Sequence, residues 1–299
     1  MRILNLGSLN FDKVYDVSHF VVSGETILAS NYAEFFGGKG LNQSLALGRA
    51  GADVTHAGAI GPDGQPFIDL LSQNRVDASL IQWVDTVSGN ALIQSSDGHN
   101  CIVVYPGANQ CITHEYIDRA LEEFFPGDIL LLQNEISCGD YAITRAKEKG
   151  MRVAFNASPI TQDIFEFPLE KVDYFLINEV EGRALAQSNS DDYEIVLDQL
   201  AEKYPYAAIV MTVGGDGVYY RDSQQSLNHP AFKVQVVDTT AAGDTFTGYF
   251  LSAIAKELPI KEALCLASAA GALSVTQKGA ANSIPILDDV LRFLDENTE

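Results

Sequence analysis

Val237-Asp238-Thr239-Thr240-Ala241-Ala242-Gly243-Asp244-Thr245-Phe246-Thr247-Gly248-Tyr249-Phe250 is the stretch from which the rest of the 299-residue chain is read. The alternating segment ahead of it, Phe232 to Val236, predicts a strand, and apolar residues at helical spacing follow it through Leu258. Ala241, Ala242, Gly243 and Asp244 therefore fall where a helix begins. The first N–H groups of a helix lack intrahelical partners and carry the positive end of its dipole. A run of small residues lets an anion such as phosphate approach them. Asp244 serves there either as a working carboxylate or simply as a helix cap.

Composition limits what such a site can belong to. With 46% hydrophobic residues and no linker or low-complexity tract, the chain predicts one large domain over residues 1–299. The N-terminal apolar run is too short for a signal peptide, and no stretch approaches the roughly 18 apolar residues of a membrane span, which predicts a cytoplasmic protein. Cys101, Cys111, Cys138 and Cys265 are scattered, without the spacing of a disulfide framework or a zinc site. A net charge of −21 argues against a nucleic-acid partner. Any anionic ligand must then be held locally, by backbone dipoles, a metal ion or a few lysines.

The N-terminal part opens with a strand, Arg2 to Leu9, that runs into Asn10-Phe11-Asp12. In an open α/β sheet ligands bind beyond the carboxyl ends of strands, so Asn10 and Asp12 are candidates to grip polar groups; Asn-x-Asp is also ordinary turn chemistry. Val14–Phe20 and Ile27–Phe35 read as two strands around Ser23-Gly24-Glu25. Phe36-Gly37-Gly38-Lys39-Gly40-Leu41-Asn42-Gln43 then opens a helix closed by Gly51, with a charge and an amide at its start. Gly40 follows the lysine where a Walker A loop needs Ser or Thr, and no Gly-x-Gly-x-x-Gly follows the first strand. Asp53–Ile60 predicts a strand, Gly64–Asn74 a helix, and Ser79–Val84, Gly89–Ser96 and Asn100–Tyr105 three more strands, the last two joined by the hairpin turn Ser96-Asp97-Gly98-His99. The strands at about 12–36 and 89–106 predict a small sheet acting as a flap.

Beyond Gly107-Ala108-Asn109 helices and strands alternate: helix 114–125, strand 128–133, helix 139–149, strands 152–157 and 172–178, helices 180–187 and 193–204, strand 207–213. Such alternation means a mostly parallel sheet with helices on both faces. Three strand ends carry polar residues. One closes on Glu135. Another closes on Asn178 and Glu181, a pair that either orders hydrated Mg²⁺ or forms a capping box. The third is Thr212-Val213-Gly214-Gly215-Asp216-Gly217, a backbone surface for a nucleotide or an ordinary hairpin turn.

Gly37-Gly38-Lys39-Gly40-Leu41-Asn42 and Asp238-Thr239-Thr240-Ala241-Ala242-Gly243-Asp244-Thr245, in that order, closely resemble the two signatures of the PfkB-type carbohydrate kinases. The resemblance extends over nearly the whole chain, through Gly107-Ala108-Asn109, Asn178 to Glu181, Thr212 to Gly217 and Val275 to Ala280. It implies a ribokinase-like three-layer α/β sandwich with a small β-sheet lid that also makes a homodimer contact. It implies ATP, Mg²⁺ and a monovalent cation, usually K⁺. Asn10, Asp12, Gly38, Lys39, Gly40, Asn42 and Glu135 match sugar-contacting positions; Asn178, Thr212, Gly214, Gly215, Asp216, Gly217 and Gly243 match ATP positions; Asp244 matches the catalytic base beside the anion hole Ala241–Gly243. Asp238, Thr240, Ser274, Gln277, Gly279 and Ser283 match the cation site, with Gln277 where Arg or Lys is more usual and Ser274 where Ala is. Glu181 matches a water-mediated Mg²⁺ contact. Asn10, Asp12, Lys39, Asn42 and Glu135 form a polar set suited to a small polyol, and the resemblance implies D-ribose, phosphorylated at the 5-hydroxyl. Another small sugar, or a nucleoside stacked on Phe11, Phe36 and Tyr105, is a second reading, and a non-catalytic sugar or nucleotide sensor a third.

Overall fold

The computed structural model describes residues 1–297. In chain order its elements are β1 (Ile3–Leu6), β2 (Asn10–Asp16), β3 (Asn31–Gly37), α1 (Lys39–Arg49), β4 (Val54–Ala57), β5 (Ala59–Ile60), α2 (Gln65–Gln73), β6 (Gln82–Trp83), β7 (Gly89–Ser96), β8 (His99–Tyr105), α3 (His114–Leu121), β9 (Ile129–Gln133), α4 (Gly139–Glu148), β10 (Arg152–Asn156), β11 (Tyr174–Asn178), α5 (Glu179–Ala186), α6 (Tyr193–Lys203), β12 (Ala208–Thr212), β13 (Val218–Arg221), β14 (Ser226–His229), α7 (Ala242–Ala255), α8 (Ile260–Ser274) and α9 (Leu287–Asn297). The central sheet runs β14-β13-β12-β11-β10-β9-β1-β4, parallel except at β12–β13–β14. Because side chains alternate across a strand, Ile3, Ile129 and Leu131 feed the core under α1, α2, α7, α8 and α9. Leu4, Leu130 and Leu132 feed the core under α3 to α6.

The strands expected to form a lid make a four-stranded sheet, β3-β2-β7-β8. Its strands begin and end earlier or later than the periodicity of Val14–Phe20 and Ile27–Phe35 predicts: β2 and β3 pair from Asn10↔Gly37 to Asp16↔Asn31, and the residues between lie outside the ladder. The Asp97-Gly98 hairpin forms as predicted, both residues at positive φ. Asp53–Ile60 is not one strand. Gly58 interrupts it, with its N–H donating to Tyr116 Oη at 2.7 Å, and β5 leaves the central sheet to pair with β6. Ser79–Val84 reduces to the two residues of β6, and helix 114–125 ends at Leu121.

Phe232–Val236, predicted as a strand, is irregular. Pro230 follows the last ladder residue, His229, and has no N–H to continue the pairing. The chain instead crosses the sheet end and is fastened at Val237, whose N–H donates to Val275 O at 2.8 Å. Among the described residues no helix is long and apolar enough to cross a membrane, and all four cysteines are free.

Candidate active site

Two helices start side by side at the carboxyl edge of the sheet. A Cβ on Gly248 of α7 would lie 2.4 Å from Ala46 Cβ and 2.9 Å from Leu47 N, so only glycine lets α7 pack this closely on α1. One turn earlier on each helix, Asp244 meets Asn42 and Gln43: Asn42 Nδ2 donates to Asp244 Oδ2 at 3.1 Å, and Gln43 Nε2 donates to Asp244 Oδ1 at 2.8 Å. Asp244 is 7% exposed. Ala241, the N-cap, is left-handed at φ 60°, which turns the chain into α7. The N–H groups of Gly243 and Asp244 have no hydrogen-bond partner among the described residues, whereas that of Ala242 donates to Thr239 O at 3.2 Å. Within the predicted anion hole Gly243 thus keeps a free N–H while that of Ala242 is taken, and Asp244 adds a second free donor on α7.

On one side of Asp244 lies a cavity of about 200 Å³, walled by Lys39, Asn156, Asn178, Glu181, Thr212 and Ala241–Asp244 among others. Gly214, Gly215, Asp216 and Gly217 form a turn just past β12 and do not line it; space around Gly214 and Gly215 is open. On the other side are the residues at the root of the lid. Asn10 Oδ1 accepts from Asn109 Nδ2 at 2.8 Å. Asp12 folds over Gly37, where a Cβ would come within 2.1 Å of its Oδ2. Glu135 Oε2 accepts from Ser8 Oγ and, at 2.9 Å, from the Lys39 N–H. Gly38, at φ 93°, supplies the turn into α1, and Gly40 rests on the Gly7–Ser8 backbone.

The electrostatics tie the two sides together. Burial, then the charge of Glu135, push the Asp12 carboxyl up to about 6. Burial also raises Glu135, with Ser8 and Lys39 opposing. For Lys39 burial favours the neutral form, but Asp244, Glu135 and Glu181 outweigh it and raise the ammonium. Asn42 Oδ1 is buried with no partner, an acceptor suited to a ligand hydroxyl.

Asn178 and Glu181 form a capping box: Asn178 Oδ1 accepts from Val180 N and Glu181 N, and Glu181 Oε2 accepts from Asn178 N. No group of three or more His, Cys, Asp or Glu side chains able to hold a metal is found among the described residues. Asn178 and Glu181 would fit Mg²⁺ only as a hydrated ion, since that ion prefers oxygen ligands and keeps several waters. The monovalent-cation candidates lie on the loop before α7, at the end of α8 and on the loop that follows it: Gly279 N–H donates to Asp238 Oδ2 at 2.9 Å, and Thr240 N–H and Oγ to Asp238 Oδ1 at 2.9 and 2.6 Å. Burial raises Asp238, but these hydrogen bonds and Lys278 outweigh it and keep the carboxyl low. Ser274 and Ser283 are buried and donate to Gly271 O and Ala280 O, while Gln277 N–H donates to Ser274 O. An oxygen-rich set of hydroxyls and carbonyls fits a hard monovalent ion.

Sequence reasoning missed Asn156, Gln133, Ser8 and Thr239. Asn156 and Gln133 end strands at the same edge as Asn178, so the strand-end rule that found Asn178 reaches them too. The aromatic slot proposed for a base is divided: Phe11 and Phe36 pack with Phe67, with ring centroids 4.3–5.9 Å apart, while Tyr105 is exposed.

Comparison with known proteins gives a match to "pfkB family carbohydrate kinase" over residues 2–287. A ribokinase of Haemophilus influenzae is 34% identical, covering 97% of both chains. A deoxyribokinase of Salmonella typhi is 29% identical over 99% of this chain and 100% of its own. The solved Arabidopsis thaliana ribokinase, complexed with ribose and ATP, superposes with a TM-score of 0.85 at 27% identity, covering 98% of both chains.

Proposed function

Because the chain belongs to the pfkB family of carbohydrate kinases and is an ATP-dependent sugar kinase, we propose that its acceptor is D-ribose, phosphorylated at the 5-hydroxyl with Asp244 as general base. The observation that carries this reading is Asp244 itself, held between a phosphate-sized cavity and a polyol-sized cluster of polar groups. Asn10, Asp12, Asn42 and Glu135, with Lys39 beside them, offer mostly acceptors, which suits a ligand rich in hydroxyl donors. The packing of Phe11 and Phe36 into the core supports a small sugar over a nucleoside.

In the reaction Asp244 takes the proton of the sugar hydroxyl as that oxygen bonds to the γ-phosphorus, and the bond to the bridging oxygen breaks to release ADP. The N–H groups of Gly243 and Asp244 meet the charge on the transferred group. Asn178, Thr212 and the Gly214–Gly217 turn hold the nucleotide. Glu181 would hold a hydrated Mg²⁺, which would supply charge to offset the phosphates, and the residues around Asp238 and Gly279 would hold K⁺, which would supply positive charge beside the anion site. The lid excludes water. Its exposed apolar strand Ile102–Tyr105, with Leu92, Tyr32 and Phe35, supports a homodimer through this sheet.

ADP release measured against a panel of pentoses, deoxyribose, hexoses and nucleosides, with and without K⁺, tests the reading. D-ribose is expected to give the highest kcat/KM. A better nucleoside or deoxyribose substrate refutes the ribose assignment, and binding without turnover means a sensor.

A further inference from the structure

Both carboxylate oxygens of Asp244 are held, but by residues of different kinds. Asn42 stands beside the acceptor cluster, with one amide oxygen left over. Gln43 is 0% exposed and does not line the cavity. Behind Gln43 runs a chain of amides. Gln133 Nε2 donates to Gln43 Oε1 at 2.6 Å and to Asn5 Oδ1 at 2.9 Å, and Asn5 Nδ2 donates to Gly40 O and Ser44 Oγ, both at 2.8 Å.

A carboxylate and a backbone carbonyl can only accept. The chain ends on one of each, so every amide between Asp244 and Gly40 has a single satisfied orientation. That orientation leaves Gln133 Oε1 buried without a partner. Native folds seldom leave such an atom unpaired, and where they do a functional cause is sought. Lys39 and Glu135 act on Asp244 through their charge, which supplies field but little direction; the Gln43 amide supplies direction.

We propose that Gln43 is a positioning residue for phosphoryl transfer, aimed by Gln133 and Asn5, which fixes the rotation of the Asp244 carboxylate toward the acceptor hydroxyl. This rests on Asp244 being the base. A base turned away from the proton it must take loses rate without losing substrate affinity.

Gln43→Met keeps length and removes the donor, which serves Asp244 Oδ1 at 2.8 Å and also Asn156 Oδ1 at 3.2 Å. It is expected to lower kcat at least tenfold while leaving KM for sugar and for ATP within threefold. In an Asp244→Asn background, where there is no carboxylate to aim, the same substitution is expected to change single-turnover rates less than twofold. Gln133→Met leaves Gln43 in place and removes the donor that orients it, together with the bond to Asn5, so a smaller loss with the same pattern is expected; it carries the test if Gln43→Met does not fold. Near-normal kcat in the folded variants, or the same fold loss with and without the Asp244 carboxylate, overturns the proposal. If the unsubstituted protein shows no sugar-dependent ADP release, the underlying reading falls and this one with it. If Asp244→Asn abolishes turnover and Gln43→Met does not, only the positioning role falls.

Discussion

Asp12→Asn should make the protein more stable and a worse kinase. The carboxyl is lifted from its ordinary 3.8 to about 6 by burial and by Glu135. At about 1.4 kcal/mol per pKa unit, that displacement makes the ionised side chain unfavourable by up to about 3 kcal/mol in the folded protein at pH 7. The native state binds more protons than the unfolded one between pH 3.8 and 6, so this contribution weakens stability as pH rises through that window and is constant above it. Asparagine has the same shape and no charge. Urea unfolding at pH 7.5 should therefore show Asp12→Asn gaining up to about 3 kcal/mol, with a smaller gain at pH 5. The same carboxylate should accept hydrogen bonds from the sugar. KM for ribose in the unsubstituted protein is expected to rise roughly tenfold from pH 7.5 to pH 5, as the ionised fraction falls, with the limb centred near pH 6. In Asp12→Asn KM should be high and lack that limb. A variant no more stable at pH 7.5 than at pH 5 relative to the parent, with an unchanged KM profile, refutes the argument.

Other outcomes are expected from the same geometry. Asp244→Asn should lower kcat by about two or more powers of ten while ATP affinity, measured by calorimetry, stays within a few-fold; near-normal turnover removes Asp244 as the base. Asp238→Ala cuts the hydrogen bonds joining the Thr240 and Gly279 loops and should raise the half-activating K⁺ concentration by about tenfold. An activity indifferent to K⁺ in both proteins argues against the cation site. Val103→Lys puts a charge into the exposed apolar strand of the small sheet, and for the proposed dimer sedimentation should show a shift toward monomer relative to the unsubstituted protein; an unchanged sedimentation coefficient removes this sheet as the interface.

Much of this architecture can be read from the chain because local signals and tertiary demands agree. The parallel strands β9 to β12 are short apolar runs buried on both faces, and their helices alternate with them as the connections require. The start of α7 is legible for the same reason: small residues, then an apolar helix, fit only one junction. Phe232–Val236 shows the opposite case. Its alternation is real, but strand formation needs a neighbour, and Pro230 with the crossing to Val275 removes it. Gly58 is another, since only the contact with Tyr116 on a distant helix reveals that the chain changes sheets there. In the site, strand-end polar residues, Gln133 among them, stand out in sequence. Gln43 and Asn5 do not, because their meaning is a hydrogen-bond chain through Gln133 between positions as much as 128 residues apart. Nor does the sequence disclose that Ala242 spends its N–H on Thr239 while Gly243 and Asp244 keep theirs.

Two of the junctions between the four-stranded sheet and the body carry residues proposed to hold the acceptor. Strand β2 begins at Asn10 and carries Asp12, and β3 ends at Gly37, one residue before Gly38 and the start of α1. If the proposed acceptor site is the working one, a tilt of this sheet would move the grip with it, and loosening the cover and letting go of the product would be one mechanical event. Substitutions far out on the sheet should then register as changes in how fast sugar phosphate departs.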